Sequence, residues 1–197
     1  MNKILKIGIT GGIGSGKTTV CQLFEKRGIP VYYADLKAKE LVENNEDLKQ
    51  TIIQNFGNES YFDNGKYNTN YISNIVFKNN SKLQVLSNII HPYVINDAQS
   101  WHDQQKNVPF TLKESALLFE NKLEHTVDKI ITVIAPLEIR IQRLFLRDKL
   151  SREQILERID KQLHDIEKIK YSDFVINNDN TFGLDTQIDN IFHFIAP

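Results

Sequence analysis

Residues 11 to 18 read Gly-Gly-Ile-Gly-Ser-Gly-Lys-Thr and lie between an apolar run, Ile4 to Ile9, and the segment TVCQLFEKR. Five of the nine glycines fall between residues 8 and 16, so the chain has to turn as it leaves the apolar run. The apolar run predicts a strand. The spacing of Val20, Leu23, Phe24 and Arg27 predicts an amphipathic helix stopped by Gly28. Strand, glycine turn and helix in that order is the setting in which Gly11, Gly16, Lys17 and Thr18, as G-x-x-x-x-G-K-T, bind phosphate. Small residues let successive backbone N–H groups curl around a phosphate, and the helix start adds a favourable field. Lys17 can reach the outer phosphates, Thr18 can place its hydroxyl on Mg2+, and Ser15 can add a donor. Gly12, Ile13 and Gly14 shape the loop and Thr19 follows it into the helix, so the expected nucleotide-binding stretch is 11–19. A ligand-free glycine turn would require neither the lysine nor the hydroxyl. The motif specifies phosphate and leaves ATPase, GTPase and small-molecule kinase open. A switch GTPase would show Asn-Lys-x-Asp; here Asn121-Lys122-Leu123-Glu124 ends in glutamate.

The remaining pattern alternates strands with helices. Residues 29–35, IPVYYAD, predict a buried parallel strand whose carboxyl end delivers Asp35 to a ligand crevice. Helical segments follow to Gly57, parted near Asn44 and Asn45, and 58–68 form a polar loop or small ribbon. Further helices are predicted over 69–77 and 82–102, with Ser81 as a cap and Pro92 as a bending point in the second. Strands are predicted at 107–115, 127–136 and 173–177, with Pro136 opening a helix, a charged helix from its cap Ser151 to about Tyr171, and a last helix over 182–195. About five strands with helical crossovers make an α/β fold around a parallel sheet, with helices on both faces.

Composition sets the remaining bounds. A chain of 197 residues, 41% hydrophobic, is enough for one core. With 24 basic and 25 acidic residues the formal charge is −1, which argues against a duplex nucleic-acid surface and against a polybasic membrane surface. One cysteine, Cys21, excludes an intrachain disulfide and fits a reducing compartment, so the expected location is the cytoplasm. The opening apolar run is broken by Lys6 and the glycines, well short of the about 18 apolar residues of a membrane span. His102, His125, His164 and His193 form no metal-ligand spacing.

Several separated blocks then share one likeness: GITGGIGSGKTTV at 8–20, Tyr33-Ala34-Asp35, Phe62 to Phe77, His91-Pro92, ALLFE at 116–120, RIQRLFLRD at 140–148, Gln162, and SDFVINN at 172–178. In that order they resemble the dephospho-coenzyme A kinase family over essentially the whole chain. The resemblance implies ATP- and Mg2+-dependent phosphorylation of the ribose 3′-hydroxyl of dephospho-coenzyme A. It also implies a P-loop nucleotide-kinase fold in a single domain over 1–197, with a discontinuous core, a helical substrate region over about 36–105 and a lid over about 137–170. Dephospho-coenzyme A and ATP are then the partners, with no nucleic acid or membrane, and the chain is expected as a monomer or weak homo-oligomer. The departures from the family pattern are Tyr33 for the first aspartate of D-x-D, Lys39 for arginine, Thr69 for arginine, Ala116 for proline and Arg140 for glutamine.

Carried onto this chain, the resemblance makes Asp35, Lys17, Arg143 and Arg147 the catalytic set, adds Arg140 and Arg147 to the ATP site, and puts Asp35, Lys39 and His91 at the acceptor. A carboxylate at the acceptor can orient the hydroxyl and take its proton; the other readings of Asp35 are a magnesium ligand and a helix cap. Arg140, Arg143 and Arg147 share one helix face, which can meet phosphates or be a solvated, salt-bridged surface. For His91 the alternative is a local hydrogen bond. Glu120 is read as the anchor of a loop after a strand, Leu117, Leu118 and Phe119 as core, and Tyr32 as core or an adenine contact. The competing functions are another nucleoside or nucleotide kinase and a nucleotide-binding regulator without transferase activity.

Overall fold

The computed structural model describes residues 3–77, 79–181 and 183–195. The elements in chain order are β1 (Leu5–Thr10), α1 (Lys17–Glu25), β2 (Val31–Tyr33), α2 (Ala34–Asn44), α3 (Glu46–Phe56), α4 (Thr69–Val76), α5 (Asn80–Asp103), β3 (Phe110–Glu114), β4 (Lys129–Ile134), α6 (Leu137–Asp148), α7 (Arg152–Asp160), α8 (Asp165–Lys170), β5 (Phe174–Asn177) and α9 (Leu184–Ile195). Contacts group the chain into two compact units, Met1–Tyr33 with Gln104–Pro197, and Ala34–Asp103.

In the first unit all five strands pair in parallel in the order β2-β3-β1-β4-β5, with β1 between β3 and β4. Alternation along β1 explains its two faces. Ile7 and Ile9 are fully buried against Val20, Cys21 and Phe24 of α1 and Ile188 and Ile191 of α9. Gly8 faces the other way, toward Leu118 and Val127, and α8 packs on β4. Helices therefore cover both faces. Fully buried Ile131, Val133 and Ile176 give β4 and β5 the apolar character that a two-sided parallel sheet requires.

The second unit is helical. Val42, Leu48, Ile52, Phe56, Tyr61 and Ile72 form its core, and α5 packs against α2, α3 and α4. Asn45 caps α3 by accepting from Leu48 N at 2.9 Å. Over 58–68, where a polar loop or small ribbon was expected, a single antiparallel bridge joins Tyr61 and Tyr67.

Several expectations are corrected. β2 stops at Tyr33 because its neighbour β3 stops at the paired Glu114, so Asp35 lies in the first turn of α2 and not on a strand end. Asn79, not Ser81, accepts from the first turn of α5 (Lys82 N, 3.1 Å). Pro136 is the residue before α6 and not its first. The charged helix has the predicted cap Ser151, which forms a capping box with Gln154, but it ends at Asp160, because residues 162 and 163 turn away to reach Ile13 and Glu120. Tertiary partners there override helix propensity. Leu118 is core, but Leu117 is 39% exposed. The last helix begins at Leu184; Phe182, where it was expected, lies outside the described residues. No helix among the described residues is long and apolar enough to cross a membrane.

Candidate active site

The loop of residues 11–16 leaves the carboxyl end of β1 and runs into α1, where the outer ends of parallel strands open a ligand crevice. Gly16 precedes α1 with φ of 92°, a left-handed conformation, and has no side chain to cap the first turn. The helix thus keeps its amino-terminal N–H groups for a ligand. A Cβ on Gly16 would fall on the Asn178 amide, and one on Gly12 would fall on the Arg140 guanidinium, so a side chain at either position would have to displace that group.

Lys17 is buried, with Nζ folded back over the loop, donating to Gly11 O at 3.0 Å and Gly12 O at 3.4 Å. Ser15 is fully buried, and its Oγ has no hydrogen-bond partner among the described residues. A buried hydroxyl normally finds a partner, so this one marks where the loop fits an oxygen-rich ligand such as phosphate. Thr18 and Thr19 are exposed at the start of α1.

Two of the three arginines of α6 serve the loop from outside. Arg140 is buried; its Nε donates to Ile13 O at 2.9 Å and its Nη1 pairs with Asp165 at 3.2 Å. Arg143 donates to Ser15 O at 3.2 Å and, with Nη2, to Asn178 O, Asn178 Oδ1 and Asn180 Oδ1 at 3.1–3.2 Å. Arg147 is 63% exposed and holds Asp148 through two short hydrogen bonds of 2.7 and 2.9 Å.

Three residues here were not singled out as site residues. Asn178, just beyond β5, donates its Nδ2 to Ser15 O at 2.8 Å. Gln162 accepts from Ile13 N at 2.6 Å. Both belong to blocks visible in the sequence, but their target is a loop some 150 residues earlier, which no local pattern reveals. Glu114 closes β3 level with Ile9 of β1 and is buried. Its signal was an acid at the end of a predicted strand, obscured by Lys113 beside it. Burial first, and then the Glu114 carboxylate, push the Cys21 thiol far above its ordinary range; Cys21 is packing, not a nucleophile.

In the second unit Asp35 and Lys39 are exposed and four residues apart on one side of α2, and His91 lies in the middle of α5. Back in the first unit, Glu120 anchors a loop as expected, accepting from Leu163 N at 2.9 Å and pairing with the fully buried Lys168 at 2.9 Å. Tyr32 is core. A separate cleft of about 470 Å³ opens at the amino ends of β4 and β5, walled by Phe119, Val127, Ile130, Leu163 and Tyr171, at the end of the strands away from the loop.

A five-stranded parallel sheet, helices on both faces and a lysine-bearing phosphate loop after the central strand define a P-loop kinase fold. The model of the dephospho-CoA kinase family matches residues 5–183. The chain is 37% identical to a dephospho-CoA kinase from Bacteroides fragilis over 97% of its length and 93% of that protein's. Among solved structures it is similar to TT1252 from Thermus thermophilus (29% identity, TM-score 0.86, all of both chains covered). It is also similar to the dephospho-CoA kinase from Campylobacter jejuni (25% identity, TM-score 0.68, 97% of this chain and 96% of that one). The chain belongs to the dephospho-CoA kinase family.

Proposed function

We propose that the protein transfers the γ-phosphoryl group of ATP to the ribose 3′-hydroxyl of dephospho-coenzyme A, giving coenzyme A and ADP, the last step of coenzyme A synthesis. The observation that carries this reading is the loop itself: in a chain matched to the family over residues 5–183, Ser15 Oγ is buried without a hydrogen-bond partner among the described residues and Lys17 arches over the turn.

The loop N–H groups and the start of α1 bind the phosphates, and Lys17 exchanges its two carbonyl contacts for their oxygens. Arg143 keeps the Ser15 carbonyl turned outward and adds positive charge behind the loop; Arg140 does the same at Ile13. Arg147 is the arginine that reaches the nucleotide from the lid, since an exposed ion pair such as the one with Asp148 is exchanged at little cost. Thr18 Oγ1 and the Glu114 carboxylate would hold Mg2+; when bound it neutralises charge on the β- and γ-phosphates. No cluster of three or more His, Cys, Asp or Glu suited to a metal occurs among the described residues, which fits an ion held mainly by phosphates and water.

Asp35 orients the 3′-hydroxyl and accepts its proton as oxygen bonds to the γ-phosphorus and the bond to ADP breaks. Lys39 and His91 complete the acceptor site. Both substrates are water-soluble, and the cytoplasm is the proposed location, with the protein a monomer or weak homo-oligomer.

The test incubates purified protein with Mg2+, γ-labelled ATP and a panel of dephospho-coenzyme A, nucleosides and nucleotides, then locates the label. Label on the 3′ position of dephospho-coenzyme A is expected. Faster labelling of a nucleotide, or ATP binding without any labelled product, overturns the proposal.

A further inference from the structure

Ile13, at the crest of the phosphate loop, is held from outside at every point. Its N–H donates to Gln162 Oε1 at 2.6 Å, its carbonyl accepts from Arg140 Nε at 2.9 Å, and its side chain packs with Ile141, Leu144 and Ile155 of α6 and α7. Gln162 lies on the short turn between α7 and α8, and Asp165, the partner of Arg140, is the first residue of α8. That turn is itself tied to the segment after β3: Glu120 Oε1 accepts from Leu163 N at 2.9 Å and lies 2.9 Å from Nζ of the fully buried Lys168. The connection therefore runs from Glu120 through residues 162–165 to both backbone polar groups of a single loop residue, Ile13.

The geometry points to Gln162 as a positioning residue for nucleotide binding: by accepting the Ile13 N–H, it holds the loop in its phosphate-ready shape before nucleotide arrives. A flexible glycine-rich loop samples many conformations, and binding affinity falls by the fraction of time the competent one is absent. Because the Ile13 N–H donates to Gln162 and the Ser15 N–H to Gly12 O at 3.1 Å, the loop wraps phosphate chiefly with the N–H groups of Gly14 and of Gly16 onward. Only an acceptor is needed from Gln162, so methionine, of equal length but with only a weak thioether acceptor, loosens the hold while keeping the packing. This inference rests on the loop being a nucleotide site, but not on which acceptor is phosphorylated.

The experiment compares wild type with Gln162→Met and Gln162→Glu. ADP affinity is measured calorimetrically, exchange of the Ile13 amide by NMR in nucleotide-free protein, and KM and kcat with ATP and dephospho-coenzyme A. Gln162→Met is expected to weaken ADP about tenfold, the equivalent of about 1.4 kcal/mol, and to speed Ile13 amide exchange. KM for ATP rises in parallel while kcat and KM for the acceptor stay within about threefold. Gln162→Glu, which retains the acceptor oxygen, restores slow exchange of the Ile13 amide. A residue that merely supported the fold would lower the active fraction, hence the apparent kcat, and leave ADP affinity unchanged; that result overturns the inference. Wild type that binds ADP with the expected contrast yet fails to phosphorylate dephospho-coenzyme A would sink the proposed function and leave the role of Gln162 standing.

Discussion

Replacing Gly16 by alanine perturbs the loop in two separable ways. Gly16 has φ of 92°, where a Cβ is strained by about 1 kcal/mol, and the new methyl would occupy the place of the Asn178 amide. Displacing that amide breaks its 2.8 Å bond to Ser15 O and its 3.2 Å bond from Arg143. Neither partner is stranded, since Arg143 also donates to Ser15 O and keeps Asn178 O and Asn180 as acceptors. The two lost bonds are therefore worth about 2 kcal/mol together, not the larger penalty of orphaned buried groups. Gly16→Ala is expected to destabilise by about 3 kcal/mol and Asn178→Ala, which removes the same two bonds, by about 2 kcal/mol. In the double variant the methyl finds the space already empty, so only the backbone strain is added. The total should be about 3 kcal/mol and the coupling about 2 kcal/mol. Urea unfolding of the four proteins measures each value. If the double variant loses the sum of the single losses to within about 0.5 kcal/mol, the account of Gly16 and Asn178 as competitors for one space is wrong.

Asp35→Asn should leave ADP affinity near that of wild type while lowering kcat by roughly a hundredfold or more; unchanged turnover in a steady-state assay would remove its role as base. Lys17→Ala should weaken nucleotide binding and slow transfer, read by ADP titration and single-turnover labelling, and full activity would contradict its place at the phosphates. Lys113 supplies a pH test. Burial first, then neighbouring Lys6, lower its ammonium from 10.5 to about 8, so between about pH 8 and 10.5 the unfolded chain binds the extra proton and this residue's contribution to stability rises with pH. Below pH 8 its charge withholds roughly 3 kcal/mol. Lys113→Met should therefore be more stable than wild type at pH 7, with the advantage shrinking toward pH 10.5. Taking the difference cancels the opposing losses from the raised Cys21 thiol and Tyr33 phenol. A pH-independent difference in melting would refute the assignment.

Much of the site was legible because its chemistry is contiguous. Eight residues after an apolar run specify a phosphate loop, since glycine spacing, a lysine and a hydroxyl act within one turn of chain. The parallel sheet was legible for a similar reason: β-branched runs such as Ile130 to Ile134, parted by amphipathic stretches, leave few other arrangements. The end of the helix from Ser151 is not legible locally, because Gln162 and Leu163 turn away toward partners remote in sequence.

The arginine stripe shows where local reading stops. Spacing put Arg140, Arg143 and Arg147 on one helix face, but only the folded chain separates them into two that grip loop carbonyls and one that remains exposed on Asp148. Sequence by itself determined that this protein binds phosphate on a parallel α/β sheet, because those properties follow from neighbouring residues and the period of the pattern. Tertiary structure alone decided what holds the loop in shape. Asn178 meets Ser15 across 163 residues and Gln162 meets Ile13 across 149, and contacts at such separations depend on how every intervening element packs.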